Sequence, residues 1–183
     1  MFSTTKGSDV SLSTLSLQDR KATPFGQIHS FYPTGARFSP DGRWVAYASA
    51  ERGVTTTTIF VQPFPATGAK YQLFVKGSNN TPHKVAWSPD GKELFYVPKI
   101  GGFEAVSVTT QPTFTFGNAV AVPRPFNPGP PNSRTLYDIT PGGKFVGLIV
   151  PGQTGPVALT TPRQIQVILN WFEELRARVP SAK

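Results

Sequence analysis

The chain of 183 residues has no cysteine, one methionine and two histidines. Disulfide frameworks, thiolate zinc sites, iron–sulfur clusters and cysteine nucleophiles are therefore excluded, and a metal site built on several histidines is short of ligands. Neither a metal nor a cofactor is expected. The missing thiols leave the compartment open, because such a chain is tolerated in reducing and oxidising surroundings alike. Charge is scarce as well, at 15% of residues against about 25% in an ordinary domain. Within that small set 18 basic residues outnumber 10 acidic ones, for a net charge of +8. The basic residues run from Lys6 to Lys183 without three in succession, so the excess reads as a solubilising surface and not as a nucleic-acid footprint. No window approaches the roughly eighteen apolar residues of a membrane span, and the opening Met-Phe-Ser-Thr-Thr-Lys lacks the apolar run of a signal peptide. A soluble chain is expected, with neither nucleic acid nor membrane as partner, and a parent protein in an extracytoplasmic setting stays open.

Turn-forming residues are abundant, with 19 prolines and 17 glycines, while 14 phenylalanines supply material for a core. The prolines and glycines recur in a pattern. Phe38-Ser39-Pro40-Asp41-Gly42-Arg43-Trp44-Val45 returns as Trp87-Ser88-Pro89-Asp90-Gly91-Lys92-Glu93-Leu94, and again as Ile139-Thr140-Pro141-Gly142-Gly143-Lys144-Phe145-Val146. Each copy predicts strand, tight turn, strand: proline presets φ at the first turn position, and Asp-Gly or Gly-Gly supplies the positions that need hydrogen bonding and positive φ. Further apolar segments follow each hairpin, such as Thr58-Ile59-Phe60-Val61 and then Tyr71-Gln72-Leu73-Phe74-Val75. Four strands per repeat is the composition of a propeller blade. Second strands such as Leu94-Phe95-Tyr96-Val97 are apolar at successive positions, as expected of a sheet covered on both faces.

The expected fold is therefore all-β, a β-propeller segment of three to four four-stranded blades with a short C-terminal helix. Residues 1–33 are read as one or two outer strands of a preceding blade, 34–75 and 76–122 as complete blades, 123–170 as the last blade. Residues 171–179 form the helix, with Asn170 and Glu173 as a capping pair and Pro180 as its stop.

The Ser-Pro-Asp-Gly repeats resemble the TolB-type, WD-like propeller repeats of bacteria. A closer likeness is to the C-terminal part of propeller regions in large bacterial, notably acidobacterial, proteins that carry an N-terminal kinase or winged-helix regulator domain. The segments shared in order are Phe60-Val61-Gln62-Pro63-Phe64-Pro65, Gly91-Lys92-Glu93-Leu94-Phe95-Tyr96, Tyr137-Asp138-Ile139-Thr140 and Val167-Ile168-Leu169-Asn170-Trp171. The resemblance implies a module of a larger signalling protein and carries over no catalytic residue, since its signature is turn chemistry and packing. Gly142 departs from the signature, which has Asp there.

No kinase loop, phosphate-binding Gly-rich loop or Gly-x-Ser-x-Gly elbow occurs. A non-catalytic role in protein interaction or ligand sensing is the leading expectation. The loops that enter the inner strands bring Arg37, His83, Lys84, Arg124 and Arg134 toward one face, which predicts a preference for an anionic ligand. Asp138 begins an inner strand where the other repeats have Arg37 and Ala86, and so joins the candidates. The alternative is a hydrolase of esterase, lactonase or glycosidase type at the channel mouth, worked by His83 and Asp138. His29, in a turn equivalent to that of His83, reads as solvent or loop hydrogen bonding. Propellers usually need at least four blades to close, and this chain supplies two complete blades and one composite one, so the expected partners are a second copy that completes the ring, plus a protein or a small anionic ligand.

Overall fold

A computed structural model describes residues 1–32, 34–50, 56–73, 81–124, 126–130 and 133–148. Among these residues every element is a strand, and the strands form four antiparallel sheets in chain order. The first contains β1 (Phe2–Lys6), β2 (Asp9–Leu15) and β3 (Ala22–Pro24). The second runs through β4 (Arg37–Phe38), β5 (Trp44–Ser49), β6 (Thr58–Pro63) and β7 (Tyr71–Leu73). The third repeats that order with β8 (His83–Trp87), β9 (Glu93–Val97), β10 (Glu104–Thr109) and β11 (Thr115–Ala121), and the fourth pairs β12 (Tyr137–Ile139) with β13 (Phe145–Gly147). Among the described residues no helix is long and apolar enough to cross a membrane.

The sheets are joined by side chains that alternate along the central strands. On β5, Val45 and Tyr47 pack with Leu12, Phe25 and Ile28 of the first sheet and its exit loop, while Ala46 and Ala48 face the third sheet through Val85, Trp87, Leu94 and Tyr96. On β9, Leu94 and Tyr96 belong to that same shared core, whereas Phe95 and Val97 turn to Phe103, Phe126, Tyr137 and Phe145. Apolar residues at successive positions thus serve two cores at once, the condition the sequence pattern predicts. Fully burying each such side chain contributes roughly 1.5–3 kcal/mol, which makes the two-faced strands the main source of cohesion.

Turn chemistry sets the register. The backbone N–H of Gly42 donates to Ser39 O at 2.9 Å, closing a turn with Pro40 and Asp41 at its centre and Gly42 at φ +70°. The Ser39 hydroxyl donates to Asp41 Oδ1 at 2.5 Å and accepts the Trp44 N–H at 2.9 Å, while Asp41 Oδ1 accepts the Arg43 N–H at 3.1 Å. Ser88, Asp90, Lys92 and Glu93 repeat each bond, at 2.6 Å from Ser88 to Asp90, 2.9 Å from Glu93 N–H to Ser88 and 3.1 Å from Lys92 N–H to Asp90. These bonds, the serine hydroxyl first, hold both carboxyls below the ordinary aspartate value. In the third hairpin Thr140 Oγ1 still accepts the Lys144 N–H at 3.1 Å, but Gly142 leaves the carboxylate out.

One expectation changes at the N-terminal end. The first sheet has three strands before residue 27 instead of one or two. Its extra strand β1, Phe-Ser-Thr-Thr-Lys, is exposed throughout and has no apolar alternation to betray it; its backbone pairing with β2 holds it, from Phe2 opposite Ser13 to Lys6 opposite Asp9. β3 is likewise exposed along its three residues and pairs Ser13 with Pro24 and Leu15 with Ala22. The helix read at 171–179 and most of the last blade beyond Leu148 lie outside the described residues.

Replacing Gly142 by Asp restores the missing acceptor. The position has ordinary φ, and an added Cβ lies 4.0 Å from Thr140 Oγ1 with nothing closer. Gly142→Asp is expected to raise stability by about 0.5–1 kcal/mol, read as a higher denaturant midpoint at unchanged slope. An unchanged midpoint would mean that the carboxylates of the first two hairpins are incidental.

Candidate functional site

The residues predicted to bind a ligand gather around the buried ring of Tyr137. β8 carries a bulge between His83 and Ala86, and within it Lys84 adopts φ +56°. A side chain in the left-handed region is strained by about 1–2 kcal/mol, and the bulge re-aims it. The ammonium reaches the connection that leads into β12, where Nζ donates to Pro128 O at 2.6 Å, Ser133 Oγ at 2.8 Å and Arg134 O at 2.9 Å. Three donors meet three acceptors, so the ammonium is saturated although only 5% of Lys84 is exposed. The loop closes so tightly over it that a Cβ on Gly129 would lie 2.8 Å from Nζ, at a residue with φ +79°. The Tyr137 hydroxyl locks the other side by donating to Lys84 O.

His83 is also drawn inward, with Nδ1–H donating to Thr81 O at 2.5 Å and Nε2 lying 3.5 Å from Gly129 O. Burial holds its pKa below the ordinary histidine value. Arg124 is half-buried and bonds backbone on both flanks, to Phe126 O, to Gly101 O at 2.9 Å and to Gly102 O at 3.3 Å, with its guanidinium over the rings of Phe103 and Phe126. Arg37, Arg134 and Asp138 stay at the surface. Asp138 Oδ1 accepts the N–H of Ile139 at 2.9 Å. Burial raises the Tyr137 pKa, with Arg37 and Arg124 near enough to lower it and Asp138 to raise it, so these three charged groups and the phenol share one region.

Backbone carbonyls and the Ser133 hydroxyl, with no carboxylate among the described residues, satisfy the two inward cations. Burial pushes Lys84 down to about 8 and lowers Arg124 as well. His83 and Asp138 make separate backbone bonds and none to each other.

Between described residues the single ion pair is elsewhere: His29 Nδ1 lies 2.7 Å from Asp9 Oδ2, in a small cleft with Ser30 and Phe31. Sequence reasoning considered His29 alone and missed Asp9. Twenty positions separate the two, and only the pairing of β1 with β2 and the bridge from Val10 to Ser30 bring them together; no local motif announces it.

No family model and no curated protein matches the chain. It is similar to a functionally unknown protein from Desulfotomaculum acetoxidans, at 16% identity and a TM-score of 0.47 over 74% of this chain and 42% of that one. It is also similar to a candidate 6-phosphogluconolactonase from Bacteroides uniformis, at 16% identity and a TM-score of 0.45 over 78% and 41%. The chain thus spans about two fifths of each of those structures, and at such identity neither bears on what it binds.

Lys84 gives a pH signature. Below pH 8 the ammonium is charged in folded and unfolded chains alike and carries its full burial cost. Between about 8 and the ordinary lysine value of 10.5 the folded chain sheds the proton while the unfolded chain keeps it, so stability rises with pH across that window. The difference in unfolding free energy between wild type and Lys84→Met should therefore shift in favour of wild type from pH 8 to 10.5. A difference that is flat across this range would show that the ammonium is not desolvated.

Proposed function

We propose that the chain is a segment of a TolB-type β-propeller, belonging to a larger bacterial signalling protein, that binds an anionic ligand or an acidic protein surface through the region around Tyr137. The observation that carries this reading is the uncompensated charge there. Lys84 and Arg124 spend their donors on backbone oxygens and the Ser133 hydroxyl, and Arg37 and Arg134 stand exposed beside them. A positive region without an ion-paired acid attracts an anion over several ångströms and loses that attraction in salt. The propeller part of the reading draws support from two successive four-stranded meanders with the same turn bonds and a shared core. Hydrolysis at His83 and Asp138 has less in its favour, because both are engaged with separate backbone groups.

Titration with citrate, and with a peptide of alternating aspartate and glutamate, should show saturable binding that weakens as salt is added. Arg37→Gln and Arg134→Gln should each weaken it about 5-fold, the worth of roughly 1 kcal/mol for one partly exposed charge. Binding that ignores both substitutions, or no binding at low salt, rejects this site. In the same reading two copies close one ring, and light scattering at micromolar concentration should return a mass near twice 19.8 kDa; a stable monomer rejects the closure.

A further inference from the structure

The amine of Lys84 sits among neutral acceptors, and one of them is itself a donor. Nζ donates to Pro128 O at 2.6 Å, Ser133 Oγ at 2.8 Å and Arg134 O at 2.9 Å. The Ser133 hydroxyl in turn donates to Pro130 O at 2.9 Å, an oxygen that also accepts the Ser133 N–H at 3.1 Å. Lys84 is buried, and among the described residues no carboxylate lies within ion-pair reach of Nζ. The positions of this connection outside the described residues are Pro125, Pro131 and Asn132, none of them an acid. Taking a cation out of water without an opposite charge beside it favours its neutral form.

The same acceptors suit that neutral form. An amine keeps two N–H donors and gains one lone pair. The two donors stay on Pro128 O and Arg134 O, and the Ser133 hydroxyl turns from Pro130 O to give its proton to the lone pair across the same 2.8 Å. Pro130 O keeps the Ser133 N–H. Each of these polar groups has a partner before and after the proton leaves, so the charge can vanish without the connection letting go. The groups around Nζ hold their own charge meanwhile. Burial keeps His83, on the same strand, below the ordinary histidine value and raises Tyr137 of β12. Asp138 of β12, Arg37 of β4, and Arg124 and Arg134 of the connection complete the charged set; carboxylates titrate far below pH 8 and guanidinium groups far above it. β9 sets Val97 and Phe95 opposite His83 and Ala86, with its Tyr96 hydroxyl held by Glu104 and its Glu93 at the far end. Tyr47 is the one titratable side chain of β5 and β6.

We propose that Lys84 is a pH-sensitive charge switch for the anion-binding region around Tyr137: its ammonium releases a proton to water, the Ser133 hydroxyl reverses, and the connection to β12 stays closed. The inference rests on the anion-binding reading above and adds how that binding is regulated. Protonated, the amine adds its charge to the field of Arg37 and Arg134; neutral, it leaves them to hold the ligand alone. Burial brings the change to about 8, where none of the groups around it titrates. Raising the pH through that value removes one positive charge, so anion binding weakens in the same interval.

The test follows two quantities in the full chain between about pH 7 and 9.5. In protein labelled with carbon-13 lysine, the Cε resonance of Lys84, assigned by its absence from Lys84→Met or Lys84→Arg, should titrate with a midpoint near 8. The near-ultraviolet circular dichroism should stay constant through that midpoint, as a closed connection requires. Citrate affinity at low salt should fall about 5-fold across the same interval, the worth of one charge beside the site. Lys84→Met should bind citrate at the weaker level at every pH, and Lys84→Arg, which keeps the charge, at the stronger one. A midpoint at the ordinary lysine value of 10.5 overturns the switch, as does a wild-type affinity that is flat with pH, a fall that persists in Lys84→Met, or a dichroism change that accompanies the titration. Should either variant fail to fold, the wild-type affinity curve and the other variant decide. Citrate binding absent already at pH 7 rejects the anion-binding reading and the regulation with it, whereas citrate bound with a midpoint near 10.5 rejects the switch alone.

Discussion

Strands that bury both faces are the constraint on which the rest of the molecule depends. β5 gives Val45 and Tyr47 to one core and Ala46 and Ala48 to another, and β9 divides Leu94 and Tyr96 from Phe95 and Val97 in the same way. A strand in that position has no solvent face on which to place a charge, because an unpaired buried charge is far costlier than the burial of a methylene is favourable. Polar chemistry is consequently driven out of the strand middles into the ends and connections. His83 and Lys84 at the start of β8, Asp9 at the start of β2 and His29 in the loop before β4 all occupy such places.

Two-faced burial also makes register critical, and this gives the Ser-Pro-Asp-Gly turns their role. A slip by one residue would exchange the two side-chain sets of β5, moving Tyr47 into the space of an alanine and leaving a void where it had been. Ser39 and Asp41 oppose such a slip by bonding one another and the N–H groups of Arg43 and Trp44, so the hairpin closes at one length only. Ser88 and Asp90 do the same for β8 and β9. The hairpin bonds set which face each residue takes, and the cores then supply the energy that keeps them there.

The parts of this arrangement that were legible in the sequence are those governed by short-range rules. Proline and glycine at fixed offsets announced the three hairpins, and the unbroken run Leu94 to Val97 announced a strand covered on both sides. β1 and β3 were not legible, since backbone pairing holds them and their exposed side chains carry no period. The candidate sites were legible only as residue types. Nothing in the string His83-Lys84 signals that Lys84 takes a left-handed backbone and turns its ammonium onto carbonyls more than forty positions away. Asp9 was invisible for a related reason: its partner lies across a sheet edge, and an aspartate after Gly-Ser reads first as a turn residue.

The scarcity of carboxylates separates the two sites physically. With ten acids against eighteen bases, a buried cation has few charged partners to find, and Lys84 and Arg124 settle on backbone carbonyls of the loop beside them. Those bonds fold the loop as much as they satisfy the cations. The ammonium is tied to the carbonyls of Pro128 and Arg134 while the Tyr137 hydroxyl holds Lys84 O, so the start of β8 and the approach to β12 fix one another. The Asp9–His29 pair has the opposite construction: it stands at the surface on a frame of backbone bonds between Val10, Ser30, Phe31 and Ala50. In the first region the inward cations are absorbed by neighbouring oxygens of the fold, and in the second the imidazole stays at the surface beside its counter-charge.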